Sequence, residues 1–274
     1  MSVAGELPFV AGDLQSQRIV GPRENGLLRA LPPTAYGALK QHLKQREFIQ
    51  GRVLWNAGDR PAQLYFPQSG LISMRVPTTE GYGIETGSVS REGVAGIEGE
   101  FGSGAMTFGF VQIGGVYTTI DAEIFFQAVQ QNRAIAELAG LSRQWILWQA
   151  QHMAACNAAH SAEARLGRWL LLVSDRTENT TIPATQESIA DALGLRRTTI
   201  TLLTHSLEAA GAIHNTRGKI RIRNRALLQN GGCSCCAKLG SDNWPSNRLA
   251  ALSRPAVHQM SSIDSQEPGH QRSA

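Results

Sequence analysis

The sequence predicts an α+β chain, with a β domain in its first half, a long helix behind it, and a helix-turn-helix carrying a β wing. Three observations carry this reading. Turn residues recur about every ten positions between 51 and 115, the stretch from 133 to about 160 has only Gly140 as a breaker, and 163–223 runs helix, glycine turn, helix, hairpin.

Residues 1–24 show no sustained periodicity and read as a loose lead-in. Residues 25–47 read as helical, with Leu27, Leu28 and Leu31 before Pro32-Pro33, then Leu39 and Leu43 four apart on one face. From Phe48 the texture changes. Gly51, Asn56-Ala57-Gly58-Asp59, Ser69-Gly70, Glu80-Gly81, Arg91-Glu92-Gly93 and Gly114-Gly115 separate runs of strand formers such as Val53-Leu54-Trp55, Leu64-Tyr65-Phe66 and Leu71-Ile72-Ser73-Met74. Such punctuation predicts an all-β barrel or sandwich, and a short helix over 122–131 completes a domain at 25–131.

The long segment 132–160, if one helix, is roughly 40 Å long at ~1.5 Å per residue, too long for one small domain to cover. Leu138, Leu141, Trp145, Trp148, His152, Ala155 and Ala159 follow a 3,4 spacing that sets them on one seam. A second copy of the helix is the expected partner, giving a homodimer with Leu138, Leu141, Trp145, Trp148 and His152 at the contact. The competing reading packs this stripe onto the chain's own β domain.

Residues 161–230 then give an amphipathic helix over Glu163–Ser174, a helix Gln186–Leu193 capped by Thr185, a break at Gly194 and a helix Arg196–Ala210. Beyond Gly211 the residues alternate around Arg217-Gly218, with Ile220 and Ile222 on one face and Lys219, Arg221 and Arg223 on the other. That is a basic wing. The end of the chain, 231–274, holds a cysteine cluster and then, from Gly240, a Ser-, Pro- and Gln-rich stretch without period that reads as a disordered tail.

The charge is local. Residues 1–162 carry 12 basic and 13 acidic residues, 163–230 carry 10 and 6, and 231–274 carry 4 and 3, for a net charge of +4. Arg196 to Arg225 alone hold seven cations (Arg196, Arg197, Arg217, Lys219, Arg221, Arg223, Arg225) against one acid, Glu208. This is the footprint of a phosphate-backbone binder, the alternative being a solvated basic face.

Several classes are excluded. No apolar run approaches the ~18 residues of a bilayer span and Met1–Val20 lacks the pattern of a secretory signal, so a cytoplasmic protein without membrane contact is expected. The four cysteines, Cys156 and then Cys233, Cys235 and Cys236, lack the spacing of a disulfide framework. A nucleophile elbow, a phosphate loop, a His-Glu-x-x-His helix and a dinucleotide fingerprint are all missing from the sequence, and no enzyme is expected.

Gly58-Asp59 followed by Leu64-Tyr65-Phe66 and Ser69-Gly70, together with Thr185-Gln186-Glu187-Ser188-Ile189-Ala190-Asp191-Ala192-Leu193-Gly194 and Arg196-Arg197-Thr198-Thr199-Ile200, resemble the Crp/Fnr family of bacterial transcription regulators over roughly residues 25–236. The resemblance implies that the β domain is a jelly-roll related to cyclic-nucleotide sensors, that the long helix forms a two-fold dimer, and that the helix from Arg196 enters the DNA major groove. It also implies an inverted-repeat operator in double-stranded DNA and RNA polymerase as a further partner. The DNA-binding candidates are Thr185, Arg196, Arg197, Thr198, Thr199 and Thr201, with Arg217, Lys219 and Arg221 of the wing on phosphates.

The departures matter too. From Val94 to Asp121 there is no Arg or Lys to hold a cyclic nucleotide's phosphate, while Glu98 and Glu100 would repel it, so cAMP is not the expected signal. The first cysteine is Cys156, which leaves no N-terminal set for the iron–sulfur cluster of the oxygen-sensing members. Positions that read bases in the family's catabolite activator align here with Thr198 and Leu202, in place of an acid and an arginine, so the operator sequence does not carry over. Cys233, Cys235 and Cys236 offer thiolates for zinc or a redox pair, but adjacent cysteines strain chelation and no His or fourth Cys lies at ligand spacing. Neither a metal nor another cofactor is expected, and His152 with Cys156 reads as a packed pair. The rival functions are a small-molecule sensor acting through a protein partner with nonspecific DNA contact, and a β-barrel enzyme with an accessory helical domain.

Overall fold

A computed structural model describes residues 25–79, 83–101, 104–235 and 239. The lead-in 1–24, Cys236 and the stretch from Gly240 onward lie outside the described residues. Two helices, α1 (Gly26–Ala30) and α2 (Pro33–Lys40), come first. Pro33 stands in the first turn of α2, where its missing N–H has no intrahelical partner to lose. The helical reading of 25–47 runs too far: Lys44–Phe48 form strand β1, in an antiparallel ladder with β7 (Gly115–Asp121). Four of the five β1 residues are exposed, so the hydrophobic pattern of the segment does not announce it. Cross-strand hydrogen bonding and the burial of Phe48 decide it.

The remaining strands of this half are β2 (Val53–Trp55), β3 (Gln63–Pro67), β4 (Leu71–Pro77), β5 (Gly83–Val89) and β6 (Phe108–Ile113). They make two antiparallel sheets, of order β1-β7-β3 and β2-β6-β4-β5. Phe48, Tyr65 and Tyr117 of the first sheet meet Trp55, Ile72, Met74 and Val111 of the second. Because side chains alternate along a strand, Leu64 and Phe66 face the other way, onto Leu27, Phe125, Ile135, Leu138 and Trp145. The first sheet is thus covered on both faces, by its partner sheet and by a helical layer.

That layer includes α3 (Ala122–Gln131) and α4 (Arg133–Ala159). Asp121 caps α3 by accepting from the amides of Glu123 and Ile124 at 2.9 and 3.3 Å, and Asn132 caps α4 in the same way through Ala134 and Ile135 at 3.0 and 3.3 Å. A short 3-10 helix, Ile97–Phe101, packs under α4.

The predicted seam splits between two environments. Leu138 and Trp145 are buried in the chain's own core, and Leu141 and Trp148 are half-buried against it. Trp145 stacks on Trp148 with ring centroids 4.9 Å apart, and Trp148 lies 4.0 Å from the half-buried His152 ring. Residues Glu137, Gly140, Gln144, Leu147, Gln151, Ala154 and Ala158 form a second stripe of 3,4 spacing that is exposed, Leu147 to 59%.

The last third begins with α5 (Ala162–Thr177), capped by Ser161, and continues through β8 (Thr181–Pro183), α6 (Gln186–Leu193), α7 (Arg197–Ala209), β9 (Ile213–Thr216), β10 (Lys219–Ile222) and α8 (Arg225–Gly231). Leu166, Trp169, Leu170, Ile189, Leu193, Ile200, Leu207, Ile213, Ile220 and Ile222 share one core. Strand β8 and helix α8 have no counterpart in the sequence reading: β8 is three residues ending in proline, and α8 has one buried residue, Leu228. Leu71 of β4 belongs to this second core, so the two halves pack directly on one another. Arg176 of α5 crosses the boundary. It is buried and donates to Ser88 O at 2.7 Å, Gln149 Oε1 at 2.9 Å and Leu239 O at 3.1 Å.

Candidate nucleic-acid interface

Helix α6 starts on a capping box: the Thr185 hydroxyl accepts from the Ser188 amide at 3.0 Å, and the Ser188 hydroxyl accepts from the Thr185 amide at 3.1 Å. It stops at Gly194, whose φ of +61° is the left-handed conformation that glycine adopts without strain. The chain then turns into α7, with Arg196 as its N-cap. Ile200, Thr204 and Leu207 of α7 are buried, while Arg196, Arg197, Thr198, Leu202 and His205 are exposed, Leu202 to 72%. An α7 anchored by one face and open on the other has the arrangement of a recognition helix.

The relation between α6 and α7 is held by a polar contact that the sequence reading missed. Thr201 Oγ1 donates to Gln186 Oε1 at 2.6 Å, and Gln186 Nε2 lies 3.5 Å from Thr204 Oγ1. Thr201 is therefore half-buried and committed to fixing the helix pair, as Thr185 is to its cap. Thr199 is half-buried as well. Leu202, which the sequence motifs align with a base-reading position, and His205, which they do not, both stand on the outer face. Their signal was available: Thr198, Leu202 and His205 recur at helical spacing opposite Ile200 and Leu207.

In the wing, Lys219–Ile222 alternate exposed and buried, with Ile220 and Ile222 inward and Lys219 and Arg221 outward. Gly218 at φ +75° closes the hairpin, and β10 lies between β9 and β8. Of the seven clustered cations, Arg225 is drawn to Asp175 at 2.6 Å. Among the described residues no carboxylate engages Arg196, Arg197, Arg217, Lys219, Arg221 or Arg223. The local acid, Glu208, is turned to His214 Nδ1 at 3.0 Å and accepts the Asn215 amide at 3.0 Å; that amide and then His214 hold its carboxyl below the usual range. The cations face solvent, the acid is internally occupied, and the net field is attractive to polyphosphate.

In the β domain, Glu98 is half-buried, with its carboxylate oxygens buried, on the 3-10 helix that packs under α4. Burial pushes its carboxyl above the usual carboxylate range, outweighing the backbone amides of Glu98 and Gly96 and the guanidinium of Arg143, which pull it down. The cation absent from Val94–Asp121 is thus brought in by α4 and faces a carboxylate. A separate cleft of about 590 Å³ is lined by residues that include Arg60, Gly99, Asp121, Glu123 and Phe126. His152 donates from Nδ1 to the Trp148 carbonyl at 3.0 Å. Cys156 is buried, and burial pushes its thiol up to about 12 against the opposing charge of Arg168.

The chain thus joins a helix-turn-helix with a basic wing to a two-sheet β-roll through a long helix. Residues 164–230 match the family model of the Crp-like helix-turn-helix domain. No curated protein matches the sequence. Among solved structures, the chain is similar to a Crp/Fnr-family transcriptional regulator from Eubacterium rectale, at 17% identity and a TM-score of 0.61, over 76% of this chain and 98% of that one. It is similar to FixK2 from Bradyrhizobium japonicum at 15% identity and a TM-score of 0.59, over 70% and 98%. The c-di-GMP responsive regulator CLP from Xanthomonas campestris gives 17% and 0.58, over 69% and 98%. The chain therefore has the Crp/Fnr fold from the β-roll to the winged helix, as the sequence motifs predicted. No helix among the described residues is long and apolar enough to cross a membrane.

Proposed function

We propose that the chain is a cytoplasmic, homodimeric, sequence-specific transcription regulator that binds an inverted-repeat operator and acts with RNA polymerase. The observation that carries this is the combination of an outward α7 face, Arg197, Thr198, Leu202 and His205, with exposed wing cations that no carboxylate among the described residues neutralises. Arginine suits guanine edges, Leu202 suits a thymine methyl, and Arg217, Lys219 and Arg221 suit phosphates. The exposed 3,4 stripe of α4 supports a two-fold contact, with small residues Gly140, Ala154 and Ala158 allowing close approach around Leu147.

The signal enters through the β domain and is not a cyclic nucleotide. Arg143, the cation supplied to the stretch from Val94 to Asp121, already serves Glu98, and a ligand phosphate placed there would meet that buried carboxyl. A signal that shifts α4 against the β-roll changes the spacing of two recognition helices. Selection of bound fragments from the source genome, followed by binding with excess random competitor at several salt concentrations, tests the reading. A shared inverted repeat is expected. Binding abolished by competitor would favour the sensor that acts through a protein partner. Calorimetry with cAMP and cGMP is expected to show no saturable binding.

A further inference from the structure

Four metal-ligating side chains converge where α4 ends. Cys156 occupies the last turn of the helix, and His160 follows as its C-cap, four residues on and therefore on the same face. Cys233 and Cys235 arrive from the segment after α8, some 75 residues later. Cys156 Sγ lies 3.4 Å from Cys233 Sγ, and Cys235 Sγ lies 3.9 Å from His160 Nδ1. All four donor atoms fall within 4.8 Å of one another. Donors bound tetrahedrally to one zinc at ~2.0–2.3 Å stand roughly 3.5–3.8 Å apart, so the observed set needs only small adjustments to close on an ion.

The surroundings supply a second, independent observation. Arg168 of α5 is 1% exposed, and neither its Nε nor one of its Nη atoms has a hydrogen-bond partner. A buried guanidinium so placed is costly unless negative charge stands near it. Its charge acts on both Cys156 and Cys235. Three thiolates around a divalent ion leave one net negative charge, and a single arginine cancels it. Cys156 and Cys233 are buried while His160 and Cys235 are half-exposed, which leaves an entry side for the ion.

We propose that Cys156, His160, Cys233 and Cys235 form a tetrahedral Cys3His site for zinc(II), which fixes the segment after α8 to the end of the long helix. The expectation of no metal rested on the lack of a histidine or fourth cysteine at ligand spacing in sequence; in space Cys156 and His160, at the end of α4, stand beside Cys233 and Cys235. The site sits beside Ser161, the cap of α5, at the joint between the long helix and the DNA-binding half. An ion here ties both ends of that half, the entry to α5 and the exit from α8, to a single point. The metal assignment stands apart from the proposed regulation of transcription, since its test reads metal and not DNA.

The test uses the full chain, kept reduced, loaded with zinc or cobalt(II) and freed of excess metal by gel filtration. One metal per chain is expected. The cobalt form should show the intense visible bands of tetrahedral geometry with a thiolate charge-transfer band. Cys156→Ser and Cys235→Ser should lose the ion, and His160→Gln, at a half-exposed position that should leave the fold intact by circular dichroism, should lose the metal-dependent rise in melting temperature. Substoichiometric metal in the reduced wild type, a cobalt spectrum without thiolate bands, or full metal in all three variants would overturn the proposal. So would a Cys156–Cys233 disulfide in the metal-loaded protein.

Discussion

Arg176 of α5 donates to the backbone carbonyl of Ser88 in β5 at 2.7 Å, across 88 positions of sequence and across the boundary between the β-roll and the DNA-binding half. The same guanidinium reaches Gln149 of α4 and Leu239 of the C-terminal segment, with Glu92 at 3.7 Å. One buried cation therefore joins the β-roll, the long helix, α5 and the C-terminal segment.

Arg176→Met should destabilise the protein by about 3–5 kcal/mol, because it removes the donor from buried acceptors and leaves the Glu92 carboxylate without its partner. Chemical denaturation reads this as a lower midpoint. An unchanged midpoint would mean that the two halves do not depend on this contact.

The basic residues should separate into two behaviours. Neutralising Lys219 and Arg221 should weaken specific and random DNA alike and flatten the salt dependence, since phosphate contacts release counterions without reading sequence. Arg197→Ala should cost ~1–3 kcal/mol per base contact and relax preference at one symmetric pair of positions. Binding to a single-substitution operator panel checks this; equal loss on specific and random DNA would make Arg197 a phosphate clamp.

The two stripes of α4 make opposite predictions. Leu147→Asp lies on the exposed stripe and should yield a folded monomer in sedimentation equilibrium. Trp145→Asp places a charge in the chain's own core and should cost several kcal/mol of folding stability whatever the oligomeric state. A dimer unaffected by Leu147→Asp would move the interface elsewhere.

Glu98 gives a pH dependence of defined sign. Between the ordinary carboxylate pKa and its raised folded value, the native state keeps a proton that the unfolded chain has released. Stability therefore falls as pH rises through that window and levels off above it. Glu98→Gln cannot titrate, so its stability should match the wild type near pH 4 and exceed it near neutrality, about where unperturbed carboxylates are fully ionised. Urea midpoints across this range decide it, and parallel curves for the two proteins would contradict the assignment.

Much of this molecule is written in local patterns. Helices α4, α6 and α7 follow from apolar spacing, caps and glycine stops, each a property of a few adjacent residues: Asn132 before α4, Thr185 before α6, Gly194 behind it. The wing follows from alternation about Arg217-Gly218, and the basic field from a count of charge. Strand β1 was not legible, because its exposed Lys44, Gln45, Arg46 and Glu47 take their conformation from the ladder with β7, 69 to 75 positions away.

By itself the sequence determined the succession of β domain, long helix and helix-turn-helix, and the excess of cations on α7 and the wing, since propensity, capping and charge act over a few residues. Only the tertiary structure decided what long-range packing controls. Two 3,4 stripes on α4 are equivalent in spacing, and it was burial of Leu138 and Trp145 under the chain's own sheet that left Leu147 facing solvent. Likewise Cys233 and Cys235 looked short of ligands because coordination depends on distance in space, and Cys156 and His160 reach them only once α5 and α8 have folded the chain back on itself.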